Sequence, residues 1–351
     1  MTRQQQRLLA RTAFFALFVL APPLDILRLD LTLGHFILFG YDWTLGLAAF
    51  QAGEIGPGQA VLNLILRAFV PLAAIVAVFG FAAWKWGRVY CGWLCPHFSV
   101  VETINNLMRR AFGKPTLWER ASGARDLRLT PVVLAAVFGF AFLWALTLLT
   151  YLLPPREIYH NLFTLNLTRN QFLFLSAATV VFSLEFLLAR HLFCRFGCAV
   201  GVFQSFVWMA NKKAMVVGFE RARAPACASC EASCDDACPM RLKPRNIKRY
   251  KFACTQCGEC LSACDEVQRD NPRGALLHWV AREEALHTSD RDFGRRPDVP
   301  EIRRHGVYEQ GRAGHGQKVT GLGLRVSGSA SSSTGGMPRQ PETRNPKLET
   351  G

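Results

Sequence analysis

The sequence predicts an α-helical membrane domain, then a small α+β module, then a polar tail, and three observations predict it. Half of the 351 residues are hydrophobic while the formal net charge is +15, so the two properties must be segregated along the chain. The apolar residues gather between about residues 8 and 210. Beyond them, most of the cysteines crowd into the short stretch from Cys227 to Cys264.

The membrane domain is expected over residues 1–215. A bilayer span takes roughly 20 largely apolar residues, and four stretches qualify: Leu9–Leu27, Leu62–Trp84, Leu129–Leu153 and Phe172–Phe193. The third carries no charge. The first is shortened by Pro22-Pro23; with Arg3, Arg7 and Arg11 ahead of it, it has the outline of a signal peptide. No small-x-small cleavage site follows, so it is read as an anchor helix.

Orientation follows from where Lys and Arg lie. Lys85, Arg88, Arg109, Arg110, Lys114, Arg120, Arg125 and Arg128 separate the second span from the third. Between the first and second stands only Arg28, set against Asp30, Asp42 and Glu54. Both termini are therefore expected in the cytoplasm. Much of the positive charge is explained by topology, and nucleic acid is not an expected partner.

The membrane domain reads as a tandem helix-pair repeat. Cys91 and Cys95 (VYCGWLCPHF) match Cys194 and Cys198 (LFCRFGCAVG), and each pair closes on a basic dipeptide at equal offset, Arg109-Arg110 and Lys212-Lys213. The preceding helices end PPLDI and PPREI. The i,i+4 spacing predicts both thiols of a pair on one helix face, about 5–6 Å apart. Four thiols would then converge at the cytoplasmic membrane surface. Packing is the plain alternative, and a structural disulfide is disfavoured in a reducing cytosol. A redox-active dithiol or a soft-metal site remains, with Cu(I), zinc and iron–sulfur as the competing species.

Residues 216–284 form the second unit. Its cysteines fall in two runs, C-x2-C-x3-C-x3-C-P (Cys227, Cys230, Cys234, Cys238, Pro239) and C-x2-C-x2-C-x3-C (Cys254, Cys257, Cys260, Cys264). Two-cluster bacterial ferredoxins use C-x2-C-x2-C-x3-C-P runs whose fourth cysteine serves the other cluster. The predicted fold is thus a bacterial-type 2x(4Fe-4S) ferredoxin-like domain. One cluster would take Cys227, Cys230, Cys234 and Cys264, the other Cys254, Cys257, Cys260 and Cys238. The first run has one extra residue, and Asp265 stands where a proline is usual. Paired C-x2-C motifs also build zinc sites, which rarely need eight cysteines in such quartets. Lys243, Arg245, Lys248, Arg249 and Lys251 lie between the runs. They could ease reduction, dock an acidic donor, or form a solvated basic face. Residues 285–351, with GSASSSTGG, read as a disordered tail.

Four pieces carry a family resemblance: HFILFG, GRVYCGWLCP, FCRFGC with a following FQS, and ACDEVQRDNPRG, together spanning about residues 28–280. They resemble the FixG/RdxA/CcoG group of membrane-bound polyferredoxins, accessory proteins of cbb3-type cytochrome oxidase. NapH- and NosR-type membrane iron–sulfur proteins are more distant relatives. The resemblance implies two 4Fe–4S clusters on the eight cysteines and a bacterial cytoplasmic (inner) membrane. It also implies reduction of Cu(II) to Cu(I) for the oxidase, with oxidase assembly factors or a copper-transporting ATPase as partners. The family's C-x3-C-P motif falls on Cys91, Cys95 and Pro96; in the second copy Ala199 replaces the proline. The family's further span and immunoglobulin-like domain are not expected in this chain.

Two accessory candidates lie nearby. Glu185 sits inside the fourth span, where carboxylates mark proton or quinone chemistry, with Arg190 as a possible salt-bridge partner. His97, two residues from Cys95, could join a metal site. Asp25 and Glu157, at the outer face, could bind a cation or quinol head group, or simply face water. Three functions stay open: electron transfer from a cytoplasmic donor to the membrane thiols with copper as substrate, a NapH-like quinol dehydrogenase, and a non-enzymatic assembly scaffold or redox sensor.

Overall fold

The chain is described by a computed structural model over residues 1–114, 125–189, 191–227, 230 and 232–289. Helix α1 (Arg3–Leu20) opens on a capping box in which Thr2 and Gln5 satisfy each other's backbone N–H. Its first turns are polar, and it ends before Pro22-Pro23. Among the described residues, three helices are long and apolar enough to cross a membrane: Pro57–Trp86, Leu127–Leu152 and Arg169–Ala189. The stretch Leu9–Leu27 does not form such a helix, because the chain leaves α1 at Leu20 and enters a strand at Leu27.

That strand belongs to an antiparallel meander where only a loop is expected: β1 (Leu27–Asp30), β2 (His35–Leu38) and β3 (Tyr41–Trp43), paired in that order. The Asp30 carboxylate accepts from the Thr32 and Leu33 amides at 2.9 and 3.2 Å, which closes the first turn. The second turn uses Phe39 and Gly40, both at positive φ. The HFILFG piece is therefore a strand and its turn. Asp25 is held by Arg28 at 2.6 Å.

After the short α2 (Leu47–Gln51), α3 (Pro57–Leu64) runs through a π-helical turn at Ile65–Phe69 into α4 (Val70–Trp86). Pro71 has no amide to donate, and the widened turn absorbs the lost bond. The chain then gives α5 (Val89–Trp93), α6 (Pro96–Phe112), α7 (Thr130–Leu152) and α8 (Pro155–Phe163). α9 (Arg169–Leu184) continues as a π turn over Glu185–Ala189, and a second π turn, Phe193–Gly197, precedes α10 (Ala199–Ala210). α7 is the central helix. Its Val133, Val137, Ala141 and Ala145 form a buried i,i+4 stripe, and small residues there admit close helix approach. α9 packs on α7 and α10 on α4, while Phe98 at the start of α6 shares a core with Phe182 and Phe186 at the end of α9. The two cysteine-bearing halves thus exchange helix partners.

The second unit is framed by β4 (Val216–Phe219) and β5 (Leu277–Val280), antiparallel with Val216 opposite Val280. Between them lie α11 (Ser233–Asp236) and α12 (Glu259–Val267); α13 (Glu283–Ser289) follows. Ala285 is fully buried in a core with Trp208, Val216 and Val280. The expected tail boundary at residue 285 is therefore too early: the folded unit continues to the end of α13. The remainder of the expected tail lies outside the described residues.

Candidate metal centres

Two cavities in the second unit are each lined by four thiols. One takes Cys227, Cys230, Cys234 and Cys264, walled by Phe219, Leu276 and Leu277. The other takes Cys238, Cys254, Cys257 and Cys260, walled by Val217, Met240, Leu242 and Trp279. Each cavity receives three cysteines from one run and the fourth from the other. Four thiols around an apolar hollow suit a 4Fe–4S cluster, which takes four cysteine thiolates. Burial pushes the Cys238 thiol up to about 11 and drives those of Cys234, Cys257 and Cys260 upward as well. A bound cation is what would draw those protons off.

The basic residues between the runs are mostly not a solvated face. Arg245, Lys248 and Lys251 are buried. Arg245 pairs with Asp235 at 2.9 Å. Lys248 donates to the Trp208 and Asn211 carbonyls, and Lys251 to those of Val217 and Pro244. Burial lowers both lysines to about 8. Their donors tie this loop to the end of α10 and to β4, which leaves them little role in docking an acidic donor.

The C-x3-C thiols do not share a helix face as the i,i+4 spacing predicts. α5 ends at Trp93, and Cys95 is the residue that starts α6, with Pro96 in its first turn. Proline disfavours helical backbone in the residue before it, which ends the preceding turn. Cys198 starts α10 in the same way, at φ −79° and ψ 108°. Ala199 fills the position of Pro96, so the proline is one way to begin this helix rather than a requirement of the site.

Cys91 and Cys194 are buried; Cys95 and Cys198 are partly so. Cys91 donates to Gln204 Oε1 at 3.3 Å, so the FQS piece reaches the opposite half. Burial, and after it the neighbouring Cys91 and Cys198, push the Cys95 thiol up to about 12. Cys194 is raised by burial and then by Cys95, Glu185 and Cys91. The four thiols are electrostatic neighbours drawn from both halves.

The quartet abuts the second cavity. Gln256, between Thr255 and Cys257, accepts from the Arg88 amide at 2.8 Å through Oε1 and from Trp93 Nε1 at 3.0 Å through its carbonyl. Gly92 lies so close to the Thr255 carbonyl and the Cys257 amide that a Cβ has no room. Arg7 Nε donates to the Gly92 carbonyl at 2.8 Å, and its guanidinium pairs with Glu102 and with Glu259. One core contains Cys95, Cys194, Cys238 and Cys254 together.

His97 and Glu185 meet. His97 Nε2 lies 3.0 Å from Glu185 Oε2, and Nδ1 lies 3.6 Å from Cys194 Sγ. Glu185 is thus bound across the bundle by His97; the expected partner Arg190 lies outside the described residues. Glu157 accepts from Gln171 at 3.3 Å. Sequence reasoning treated Arg88 as topological charge and passed over Gln256, Gln204 and Arg7. Only the position of Arg88, three residues before Cys91 in GRVYC, could have flagged one of them. Among the described residues, no group of three His, Cys, Asp or Glu side chains is drawn tightly enough to hold a single metal ion.

A family described as a 4Fe-4S binding domain matches residues 67–115 and 170–214. Each matched stretch holds one C-x3-C pair, and the eight-cysteine array lies outside both. The chain is 23% identical over 215 residues to YccM of Escherichia coli (strain K12), a protein ascribed to electron transport, covering 60% of this chain and 56% of YccM. It is 25% identical over 199 residues to the ferredoxin-type protein NapH of Haemophilus influenzae, covering 55% of this chain and 64% of NapH. It is 28% identical over 184 residues to the uncharacterized protein MJ0750 of Methanocaldococcus jannaschii, covering 51% and 69%. No solved structure matches the chain. The similarity is to NapH-like iron–sulfur membrane proteins and does not single out the oxidase-accessory group. The chain spans less than two thirds of YccM and of NapH.

Proposed function

We propose that this protein is anchored in a bacterial inner membrane, with both termini cytoplasmic, and carries electrons between a cytoplasmic donor and the thiol quartet. In this reading the two C-x3-C halves are a tandem duplication, and α1 supplies the fourth membrane helix. Cys227, Cys230, Cys234 and Cys264 would hold one 4Fe–4S cluster, and Cys254, Cys257, Cys260 and Cys238 the other. Such clusters supply one-electron transfer when bound.

The observation that carries the reading is the seating of Gly92 on the Thr255 and Cys257 backbone, with Gln256 held by Arg88 and Trp93, which sets the second cavity directly against the Cys91 loop. The chain's own residues make that contact rigid. Arg7 pins the loop from α1 and α12, and apolar side chains wall the thiols of both cavities. At the quartet the substrate would be Cu(II), and thiolates favour its reduction because Cu(I) is the softer ion. Oxidase assembly factors or a copper-transporting ATPase would then receive the product. The test is anaerobic reduction of a Cu(II) chelate by the full chain against a Cys91→Ser/Cys194→Ser variant. A large loss of rate is expected, and equal rates would remove the quartet from the mechanism.

A second reading, a quinol dehydrogenase subunit, is favoured by the similarity to NapH and by the His97–Glu185 pair. Glu185 Oε1 and Trp144 Nε1 are buried there without partners, as an acceptor and a donor for a quinol head group would be. A soluble quinol analogue would then reduce the clusters in membranes, and Glu185→Gln would slow it.

A further inference from the structure

We propose that Arg88 is the counter-cation of a negatively charged metal–thiolate group held by Cys91, Cys95, Cys194 and Cys198. This deepens the reading of the quartet as a redox centre and rests on it. Arg88 is 1% exposed. Its Nη2 donates to the Cys194 carbonyl at 2.7 Å and lies 3.8 Å from Cys91 Sγ. Its Nε and Nη1 are buried without any hydrogen-bond partner.

Arg245 likewise has Nε and Nη1 buried without a hydrogen-bond partner, but the other buried arginines each face a carboxylate. Arg7 faces Glu102 and Glu259, and Arg245 faces Asp235. Arg88 pairs with no carboxylate among the described residues. Glu185, the carboxylate that acts on Cys194, is engaged by His97. A buried cation is costly unless a negative charge and hydrogen-bond acceptors meet it, and the groups gathered around Arg88 are thiols from both halves.

Neutral thiols supply no charge. Four thiolates on an iron–sulfur cluster do, and so would thiolates that draw together around Cu(I), since both leave a net negative assembly with sulfur acceptors. The site is specific to Arg88. A Cβ on Gly201 of α10 would run into its guanidinium and into the Cys194 carbonyl, so glycine there keeps the cation seated between the halves.

The experiment uses the full chain, purified anaerobically in detergent, in four forms: wild type, Cys91→Ser/Cys194→Ser, Arg88→Gln and Arg88→Lys. Iron and acid-labile sulfide retained beyond the double cysteine variant identify a cluster. Cu(I) taken from a bicinchoninate complex by that difference identifies copper. Arg88→Gln is expected to hold either group about 10–100-fold more weakly and to lower its midpoint potential, with Arg88→Lys in between. Gly201→Ala, which displaces the guanidinium without removing it, should act in the same direction and serves if Arg88→Gln does not fold. Unchanged affinity and potential in Arg88→Gln and Gly201→Ala would overturn the proposal. So would equal iron and copper in wild type and the double cysteine variant. The electron paramagnetic resonance (EPR) signals of the eight-cysteine array, recorded on the same samples, keep the two readings apart. A quartet group that answers to Arg88 but is not reduced through that array would sink the electron-transfer reading alone.

Discussion

The imidazole of His97 binds the carboxylate of Glu185 at 3.0 Å across 88 residues of sequence. The other ring nitrogen, Nδ1, lies 3.6 Å from the Cys194 thiol, so one imidazole bridges the carboxylate and the thiol. A carboxylate that orients a histidine beside a thiol is how proteins fix ring position next to a metal or redox group. Phe186 and Phe193 pack on the ring, with centroids 5.4 and 5.1 Å away, and so shield the pair.

His97→Ala is expected to strand the Glu185 carboxylate inside the bundle and cost about 1–3 kcal/mol. Glu185→Gln keeps an acceptor for the ring and should cost less. Thermal unfolding in detergent measures both, and a larger loss for Glu185→Gln would contradict this assignment.

Arg7→Met should be among the most damaging changes outside the cysteines. It leaves Glu259 facing Glu102 without the cation between them, while Arg11 still pairs with Glu102, and breaking a buried ion pair costs about 3–5 kcal/mol. Glu259→Gln added to Arg7→Met should recover part of the loss, because it removes the stranded charge. Unfolding of the double variant against each single one checks the coupling.

Gly92→Ala forces a methyl group against the Thr255 carbonyl and the Cys257 amide. Neither backbone can retreat without moving the loop that carries Cys254 and Cys257. A cost of about 1–3 kcal/mol is expected, together with an altered EPR signal from that cavity. A change confined to the signal lost in Cys227→Ser would place the contact elsewhere.

The cavities predict which cysteine variants resemble each other. Cys264→Ser should lose the same cluster signal as Cys227→Ser, and Cys238→Ser the same as Cys254→Ser, each removing about half of the array's iron. Signals that instead grouped by sequence run would refute the crossed assignment.

Much of this arrangement was legible in the sequence where local rules apply. Run length marks Leu127–Leu152 and Arg169–Ala189, and the spacing of the eight cysteines anticipates which thiols share a cavity. The first anchor was drawn too far, to Leu27, because an apolar run says nothing of the strand that begins there. The shared helix face was misread because Pro96 ends one helix at the residue that starts the next. Three of the five basic residues between the runs are buried, since donors that satisfy main-chain carbonyls look like surface charge until the fold supplies the acceptors.

By itself, then, the sequence determined membrane-length helices, two thiol pairs and a crossed eight-cysteine array, because hydropathy, helix starts and ligand spacing are properties of neighbouring residues. Only the tertiary structure decided that His97 meets Glu185, that Gln256 joins the second cavity to the Cys91 loop, and that Arg88 is buried with no carboxylate partner among the described residues. Those facts depend on contacts between residues up to 168 positions apart, and on what a buried charge does not find, which no local pattern records.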